Sequence, residues 1–366
     1  MKRLRGFSLV ELMVAITLAL IVTAGVISVF AGSRSAFQAT AGVANLSDSG
    51  RFALMFIESA VRDSGYMACG AATRTISNVN PEANPSTLYY APGPSGLFQP
   101  MGGYEAAGTS PASTYAVSAT PGAVGNWNPV LDPAFNTIPA ANTFIANNDV
   151  LVVRSSATSG QPLYVTNLTA SDFTVTATGG LAVGQMALIS DCVKSLLIQV
   201  SSLTAGAPGE IVGHATGGSP GNISTAFPSW VNFAAGAQVT PLQTTAYYIG
   251  VGADGDGALY SATVAANNTL TATELAPDIE AMQILYGVDT NGTQTASQYV
   301  TADLVTDFNQ VMNVEVALLA AAPAGSAVVP TVANTYNLFG TTVTAPLDTR
   351  ARQVFEVTIA ARNALP

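Results

Sequence analysis

Residues 6–31 decide the fold of this chain and read GFSLVELMVAITLALIVTAGVISVFA. The run from Leu12 to Ala31 carries no charge, and at the rise of an α-helix it spans about 30 Å. That length matches the hydrocarbon thickness of a bilayer. Basic side chains precede the run, which favours a cytoplasmic N-terminus. The stretch therefore predicts one membrane-spanning helix, with the rest of the chain on the far side of the membrane.

A secretory signal peptide is the alternative interpretation of this stretch. It predicts a shorter apolar core that ends at a small-residue cleavage site. The pairs Ala24-Gly25 and Ala31-Gly32 resemble such sites, so the alternative stays open. The apolar run is longer than a signal core, which favours the anchor.

Glu11 is a carboxylate at the start of the apolar run. A charged side chain within a membrane helix costs about 2.5–3.5 kcal/mol and usually marks function. If Glu11 lay near the membrane–water interface, its insertion cost would be lower and its charge would not indicate a function. Such a position would not explain why Glu11 follows Gly-Phe-Ser-Leu-Val in fixed register.

The string Gly6–Leu12 resembles the class III signal of type IV prepilins and type II secretion pseudopilins. The resemblance implies cleavage between Gly6 and Phe7 by a prepilin peptidase, and N-methylation of Phe7. It also implies that Glu11 docks subunits by pairing with the terminal ammonium of a neighbour. Two charges that are each costly in lipid would then compensate each other.

The helix is expected to continue past the membrane, from about Ser8 to about Asp63, over roughly 80 Å. Its second half is amphipathic, with steps of three and four residues between apolar positions. Glycines in both halves would allow either close packing or local melting, and the sequence leaves both open. The residues of the predicted apolar face are Leu46, Gly50, Ala53, Leu54, Ile57 and Val61.

Beyond Gly65 the pattern changes to short strands and turn-rich loops, which predicts an α+β fold with an antiparallel β-rich head packed on the second half of the helix. Two stretches, 71–148 and 202–245, are expected to be long surface insertions. The expected organisation is a leader 1–6, a transmembrane helix half 7–32, an amphipathic half 33–64 and a head 65–366. The predicted strands are Asp149–Arg154, Leu163–Asn167, Phe173–Ala177, Gln185–Ser190, Ser195–Ser201, Ala246–Val251, Asn313–Ala320 and Gln353–Ala361.

The net charge and the two cysteines indicate which partners and which redox compartment to expect. The 366 residues carry a net charge of −10, which becomes −13 without Lys2, Arg3 and Arg5. Such an acidic body repels phosphate backbones, so nucleic acid is not an expected partner. The export signal places Cys69 and Cys192 in an oxidising compartment, which favours a disulfide between them over two buried thiols.

Several segments along the whole chain resemble PilW-type minor pilins. The resemblance implies a subunit that helps to initiate a type IV pilus and sits at or near its tip. Implied partners are the prepilin peptidase, other minor pilins, the major pilin, the inner-membrane assembly platform and a tip adhesin. The implied location is the inner membrane and then the pilus surface, and the J-type pseudopilin of type II secretion is the alternative. The segments are Arg51-Phe52, Arg62–Tyr66, Cys69-Gly70, Ser190–Cys192, Tyr247–Gly250, Ile279–Asp289 and Arg352–Asn363.

No set of catalytic residues is apparent, so neither an enzyme nor a cofactor is expected. His214 has no acid or cysteine within three positions on either side in sequence. Gly250–Gly255 matches a dinucleotide fingerprint, but a turn and a strand follow it where a helix is required, which predicts a β-hairpin. Asp254 and Asp256 are weak candidates for a calcium site, and a ligand-binding head is a third function to consider.

Overall fold

The structure is a computed structural model of the chain. One helix, α1 (Leu9–Asp63), comprises 55 residues and is about 82 Å long. It is close to the predicted extent, and the rest of the described chain combines strands with turns and loops. The described residues are 8–67, 70–71, 75–77, 88, 98–156, 163–218, 221–229, 231–233, 236–265, 269–326 and 334–361.

The two halves of α1 have different surroundings. From Leu9 to Ala36 every side chain is exposed. The second half buries one stripe against the head, and its members are small or aliphatic, so the helix can approach the sheet closely. The predicted face is confirmed, with Leu54 partly buried beside it. The buried residues are Gly42, Leu46, Gly50, Ala53, Ile57, Ala60 and Val61.

The described head contains strands of two to fourteen residues. The first eleven are β1 (Tyr66–Met67), β2 (Gly70–Ala71), β3 (Thr75–Ser77), β4 (Met101–Ala106), β5 (Thr114–Ala116), β6 (Trp127–Asn128), β7 (Val150–Ser156), β8 (Leu163–Leu168), β9 (Asp172–Val175), β10 (Met186–Ser190) and β11 (Ser195–Gln199). The others are β12 (Ser202–Ala205), β13 (Glu210–Gly213), β14 (Gln238–Val251), β15 (Gly257–Val264), β16 (Leu270–Pro277), β17 (Ile279–Val288), β18 (Gln298–Val300), β19 (Val311–Ala321), β20 (Thr335–Leu338), β21 (Thr341–Thr344) and β22 (Arg352–Ala360).

A four-stranded antiparallel sheet, in the order β18-β17-β19-β22, carries the helix. Ile57 and Val61 of α1 share a buried cluster with Val316 and Ile359 of this sheet. A smaller sheet, β20-β21-β5, contributes Leu338 and other apolar side chains to a second cluster with residues of β17 and β19.

The largest sheet has thirteen strands, and β14 joins its two parts. The first residues of β14 pair with β8 and β10, and its later residues pair with β7 and β15. Pro241 lies between these two regions and pairs with Ala187. The part beyond Pro241 lies against the helix-bearing region, whereas β8 to β13 enclose a separate cluster around Phe173 and Ile198.

The described part of the stretch 71–148 is more buried than the expected surface insertion. Trp127, Phe135 and Phe144 form edge-to-face ring pairs with centroids 5.0–5.8 Å apart. Trp127 donates its indole N–H to the carbonyl of Asn148 at 2.7 Å. Aromatic residues interrupt the glycine- and alanine-rich composition of this stretch, and they anchor it to the large sheet.

The predicted α+β class is confirmed by this arrangement. Nearly all strand pairs are antiparallel, and β3-β11 and β5-β21 are parallel. The eight predicted strands correspond to β7, β8, β9, β10, β11, the second half of β14, β19 and β22. The helix and the four-stranded sheet together hold the exposed helix half away from the head.

Candidate functional site

The first turn of α1 is fixed by a reciprocal cap between Ser8 and Glu11. The backbone N–H of Ser8 donates to Oε2 of Glu11 at 3.0 Å, and the N–H of Glu11 donates to Oγ of Ser8 at 3.2 Å. This capping box satisfies two of the helix's unpaired backbone donors. The carboxylate of Glu11 is exposed and remains accessible to a positive partner. Gly6 and Phe7, the predicted cleavage and methylation site, lie outside the described residues.

The exposed half of α1 has the properties of a membrane anchor. It contains an 18-residue window with a mean hydropathy of 2.6, none of which is buried in the head. The hydroxyls of its two threonines are satisfied within the helix, because Thr17 donates to the carbonyl of Val14 and Thr23 to that of Ala19. These two side chains can therefore lie in lipid with their hydroxyl groups paired.

The glycines of α1 have different environments in the two halves. A Cβ on Gly42 would lie 2.5 Å from Cβ of Ser326, and one on Gly50 would lie 2.4 Å from Cε2 of Phe355. Gly25 and Gly32 have no such neighbours within 4 Å. In the second half the glycines therefore serve close packing, whereas in the anchor they leave space on an exposed surface.

The glycine-rich segment Gly250–Gly255 forms the turn between β14 and β15, as predicted. The N–H of Gly252 donates to the carbonyl of Asp256 at 2.7 Å, and Gly255 has a φ of +89°. Such a conformation is favourable for glycine because it lacks a Cβ. The segment therefore closes a hairpin.

The two calcium candidates lie at this turn, close to Asp278. Carboxylate oxygens of Asp254, Asp256 and Asp278 lie within 4.8 Å of one another. The guanidinium of Arg350 reaches two of them, at 2.8 Å from Asp256 and 2.6 Å from Asp278. Burial is the main cause that raises the pKa of Asp278 to about 6, while the charge of Arg350 opposes this. A protein cation thus already neutralises part of the cluster.

A second arginine extends this ion-pair network. Arg352 binds Glu280 through Nε and Nη2, at 2.6 and 2.9 Å, and contacts Asp348 at 2.6 Å. Its side chain is almost fully buried. The network ties the last strand to β17 and to the β14–β15 turn. Sequence reasoning missed it because its members are far apart along the chain.

His214 is fully buried, with its ring 3.9 Å from that of Phe227. Burial is the first cause that lowers its pKa, and the charge of Asp172 acts in the opposite direction. Asp172 lies opposite Gly213 on the neighbouring strand. The fold therefore brings an acid near His214, although the two residues are far apart in sequence. The ring packs in the cluster of the β8–β13 region.

A buried carboxyl pair that the sequence did not suggest lies where β4, β7 and β17 meet. Asp149 accepts hydrogen bonds from the N–H groups of Ala106 at 3.0 Å and Ile284 at 2.8 Å. Burial, with the nearby charge of Asp149 second, raises the pKa of Glu105 to about 9, and burial raises that of Asp149 to about 7. The pair connects the large sheet to the helix-bearing sheet.

The predicted disulfide joins Cys69 and Cys192, and Cys69 lies outside the described residues. Cys192 lies in the turn between β10 and β11. The pairing stays a prediction.

Comparison with known proteins agrees with this geometry. Residues 1–27 match the family model described as Prokaryotic N-terminal methylation motif. Residues 246–363 match the one described as Type IV Pilus-assembly protein W, and this range covers β15–β22, including all four strands of the helix-bearing sheet.

Among solved structures, a type IV-like pilin from Thermus thermophilus is similar to the chain at 17% identity, over 50% of this chain and 86% of that one. The TM-score is 0.22, too low to support a conclusion about the fold. No curated protein matches the sequence. The chain is thus similar to the PilW family over the helix-bearing sheet and to prepilins over its N-terminal motif, and together with the apolar helix these matches support a type IV pilin-related protein of pilus assembly.

Proposed function

We propose that the chain helps to initiate a type IV pilus and is incorporated into it, at or near the tip. One observation carries the proposal. An exposed apolar helix half begins at Leu9, within the processing motif, and continues without a break into a half that is packed into the head. Such a subunit can be drawn from the membrane together with its head.

The docking step follows from the first turn of the helix. In a lone subunit, Glu11 accepts a hydrogen bond from the backbone of Ser8. In a filament, the carboxylate would accept the terminal ammonium of a processed neighbour, since an ion pair in lipid compensates two costly charges. The exchange replaces a local cap with a contact between subunits.

The proposed partners are the prepilin peptidase, other minor pilins, the major pilin, the assembly platform and a tip adhesin. The head would lie in the periplasm and later on the pilus surface, and its role would be structural rather than enzymatic. A Cys69–Cys192 disulfide would suit that compartment. Strands β3 and β11 are parallel neighbours, and each cysteine precedes one of them by a few residues, which is compatible with the pairing.

The J-type pseudopilin of type II secretion is the second candidate, because the processing motif is shared by both classes. Neighbouring genes would distinguish the two, since minor-pilin genes favour the first and secretion genes the second. A calcium-binding head is the third candidate. Calorimetry of the full-length protein with calcium would detect it as heat of binding and raised thermal stability.

The test replaces Glu11 by Ala and by Gln in the native host. Gln retains the cap to Ser8 but removes the charge, so it separates the local role from docking. Membrane insertion should persist in both variants, whereas recovery of the protein in sheared pili should fall severalfold. Thr17→Val in the same half is the control and should be incorporated normally. Normal recovery of both Glu11 variants would contradict the mechanism.

A further inference from the structure

A groove lies where α1 ends against the large sheet. It encloses about 460 Å³, within the usual size range of ligand sites. The last two turns of the helix form one wall, and β7 and β14 form the other. We call it the junction groove, and the residues that matter here are Phe56, Ser59, Asp63, Tyr66, Gln243 and Tyr247.

Three aromatic rings line the junction groove. Phe56 and Tyr66 are 38% and 41% exposed, and Tyr247 is partly buried on β14. Large aromatic side chains that stay this exposed beside a cavity provide faces that are not used in the core. The face of an aromatic ring attracts a cation, and it does so most strongly when the cation is shielded from water.

The groove is also electronegative. Asp63 lies on its wall and is the last residue of a 55-residue helix, whose C-terminal end carries a partial negative charge. At this end of the helix, the backbone N–H and the hydroxyl of Ser64 both donate to the carbonyl of Val61. Burial and then the charge of Asp63 raise the pKa of Tyr247, which places the carboxylate near that ring.

None of the described residues that line the groove is basic. Arg62, the last cation of the helix, pairs with Glu58 one turn before it. Arg154 lies between Val153 and Ser155 on β7, but its guanidinium binds the carbonyls of Leu88, Gln99 and Met101 in the interior. The negative character of the groove is therefore not neutralised by a groove-lining side chain.

We propose that the junction groove receives a basic side chain, arginine or lysine, presented by a neighbouring pilin subunit. The inference rests on the proposed role in assembly and adds a specific contact to it. The aromatic faces and the carboxylate of Asp63 bind the cation, and the Ser59 hydroxyl and Gln243 amide offer further acceptors. The contact lies beyond the membrane, at the point where helix and head join, so it would fix the orientation of the head in the filament.

A direct test uses the full-length protein in detergent micelles, labelled with 3-fluorotyrosine. N-acetyl-arginine amide should shift the ¹⁹F signals of Tyr66 and Tyr247, assigned with the single Tyr→Phe variants, in a saturable way. Neutral N-acetyl-citrulline amide, of the same shape, should not. Asp63→Asn should weaken binding about three- to fivefold, and Asp48→Asn, an exposed site on the same helix, should leave it unchanged. Equal shifts by both amides, or no saturable shift, would overturn the proposal.

A second test identifies the partner residue in cells. A photo-cross-linking phenylalanine at position 56 should link to a peptide of another pilin subunit that contains an arginine or lysine. Replacing that basic residue of the partner by an acidic one should lower incorporation of the chain into pili. Adding Asp63→Arg to this partner variant should restore incorporation. Cross-links to peptides without a basic residue, or no rescue, would refute the contact. If the groove contact is refuted but the Glu11 variants are still poorly recovered in pili, only the groove proposal is rejected. If the Glu11 variants are recovered normally, the proposed function itself is rejected.

Discussion

Gly50 of the helix lies directly against the ring of Phe355 on the last strand. A Cβ at position 50 would come within 2.4 Å of Cε2 of that ring, so the helix and sheet approach each other at a distance that only glycine permits. The anchor is thereby attached closely to the sheet that the pilus-assembly family match covers.

Gly50→Ala is expected to destabilise the head despite its better helix propensity. Overpacking costs about 1–3 kcal/mol, and alanine recovers about 1 kcal/mol within a helix. Thermal unfolding of the full-length protein in detergent measures the change. Gly32→Ala has no neighbour within 4 Å and should be neutral or slightly stabilising. An equal response of the two variants would contradict the packing account.

The Glu105–Asp149 pair predicts that the head loses stability as the pH rises. Both folded pKa values, about 9 and about 7, lie above those of an unfolded chain. Their contribution is therefore fully present below about pH 4 and is lost as the pH rises through about 7 and 9. Asp303, Tyr115 and Tyr286 also face the pair. Denaturant unfolding between pH 5 and 9 measures the slope.

Glu105→Gln should flatten this pH profile and raise stability at alkaline pH, since it removes one of two repelling charges. Glu356→Gln, at an exposed position on β22, is the matched control and should keep the wild-type slope. A Glu105→Gln profile as steep as that of the wild type would show that another group titrates.

Arg350→Gln is expected to destabilise the head by about 3–5 kcal/mol, because the variant leaves Asp256 and Asp278 partly buried without their cation. Chemical denaturation of the full-length protein measures the loss. Arg51→Gln, on the exposed surface of the helix, should change stability by less than about 0.5 kcal/mol. A loss similar to that of Arg51→Gln would mean that the network contributes little.

The cysteine prediction has a simple chemical test. Alkylation of the unreduced, unfolded protein should leave Cys69 and Cys192 unmodified, and reduction should expose both. Cys192→Ser should cost about 2–4 kcal/mol of stability in the oxidised protein. Modification of both cysteines before reduction would contradict the disulfide.

The parts of the molecule that depend on local pattern could be predicted from the sequence. An uninterrupted apolar run followed by an amphipathic one predicts α1, and runs of β-branched residues predict strands such as β19. The pattern predicts only the second half of β14, Ala246–Val251, because Pro241 interrupts the pattern of its first half.

Contacts between distant positions could not be predicted in the same way. Nothing near Asp149 marks it as the partner of Glu105 or of the N–H of Ile284. The same holds for Arg350 and Asp256, which are 94 positions apart. The junction groove also depends on this long-range pairing, because β14 has to return to the end of the helix. The anchor and Glu11 needed no such information, since the processing motif and the helix are continuous.

The account as a whole depends on processing at the N-terminus, and intact-mass spectrometry of the protein from sheared pili and from membranes tests it most directly. We expect a mature chain that begins at Phe7, carries one added methyl group and retains the whole of α1. A mass that includes residues 1–6, or one that lacks the entire apolar segment, would contradict the filament-subunit account.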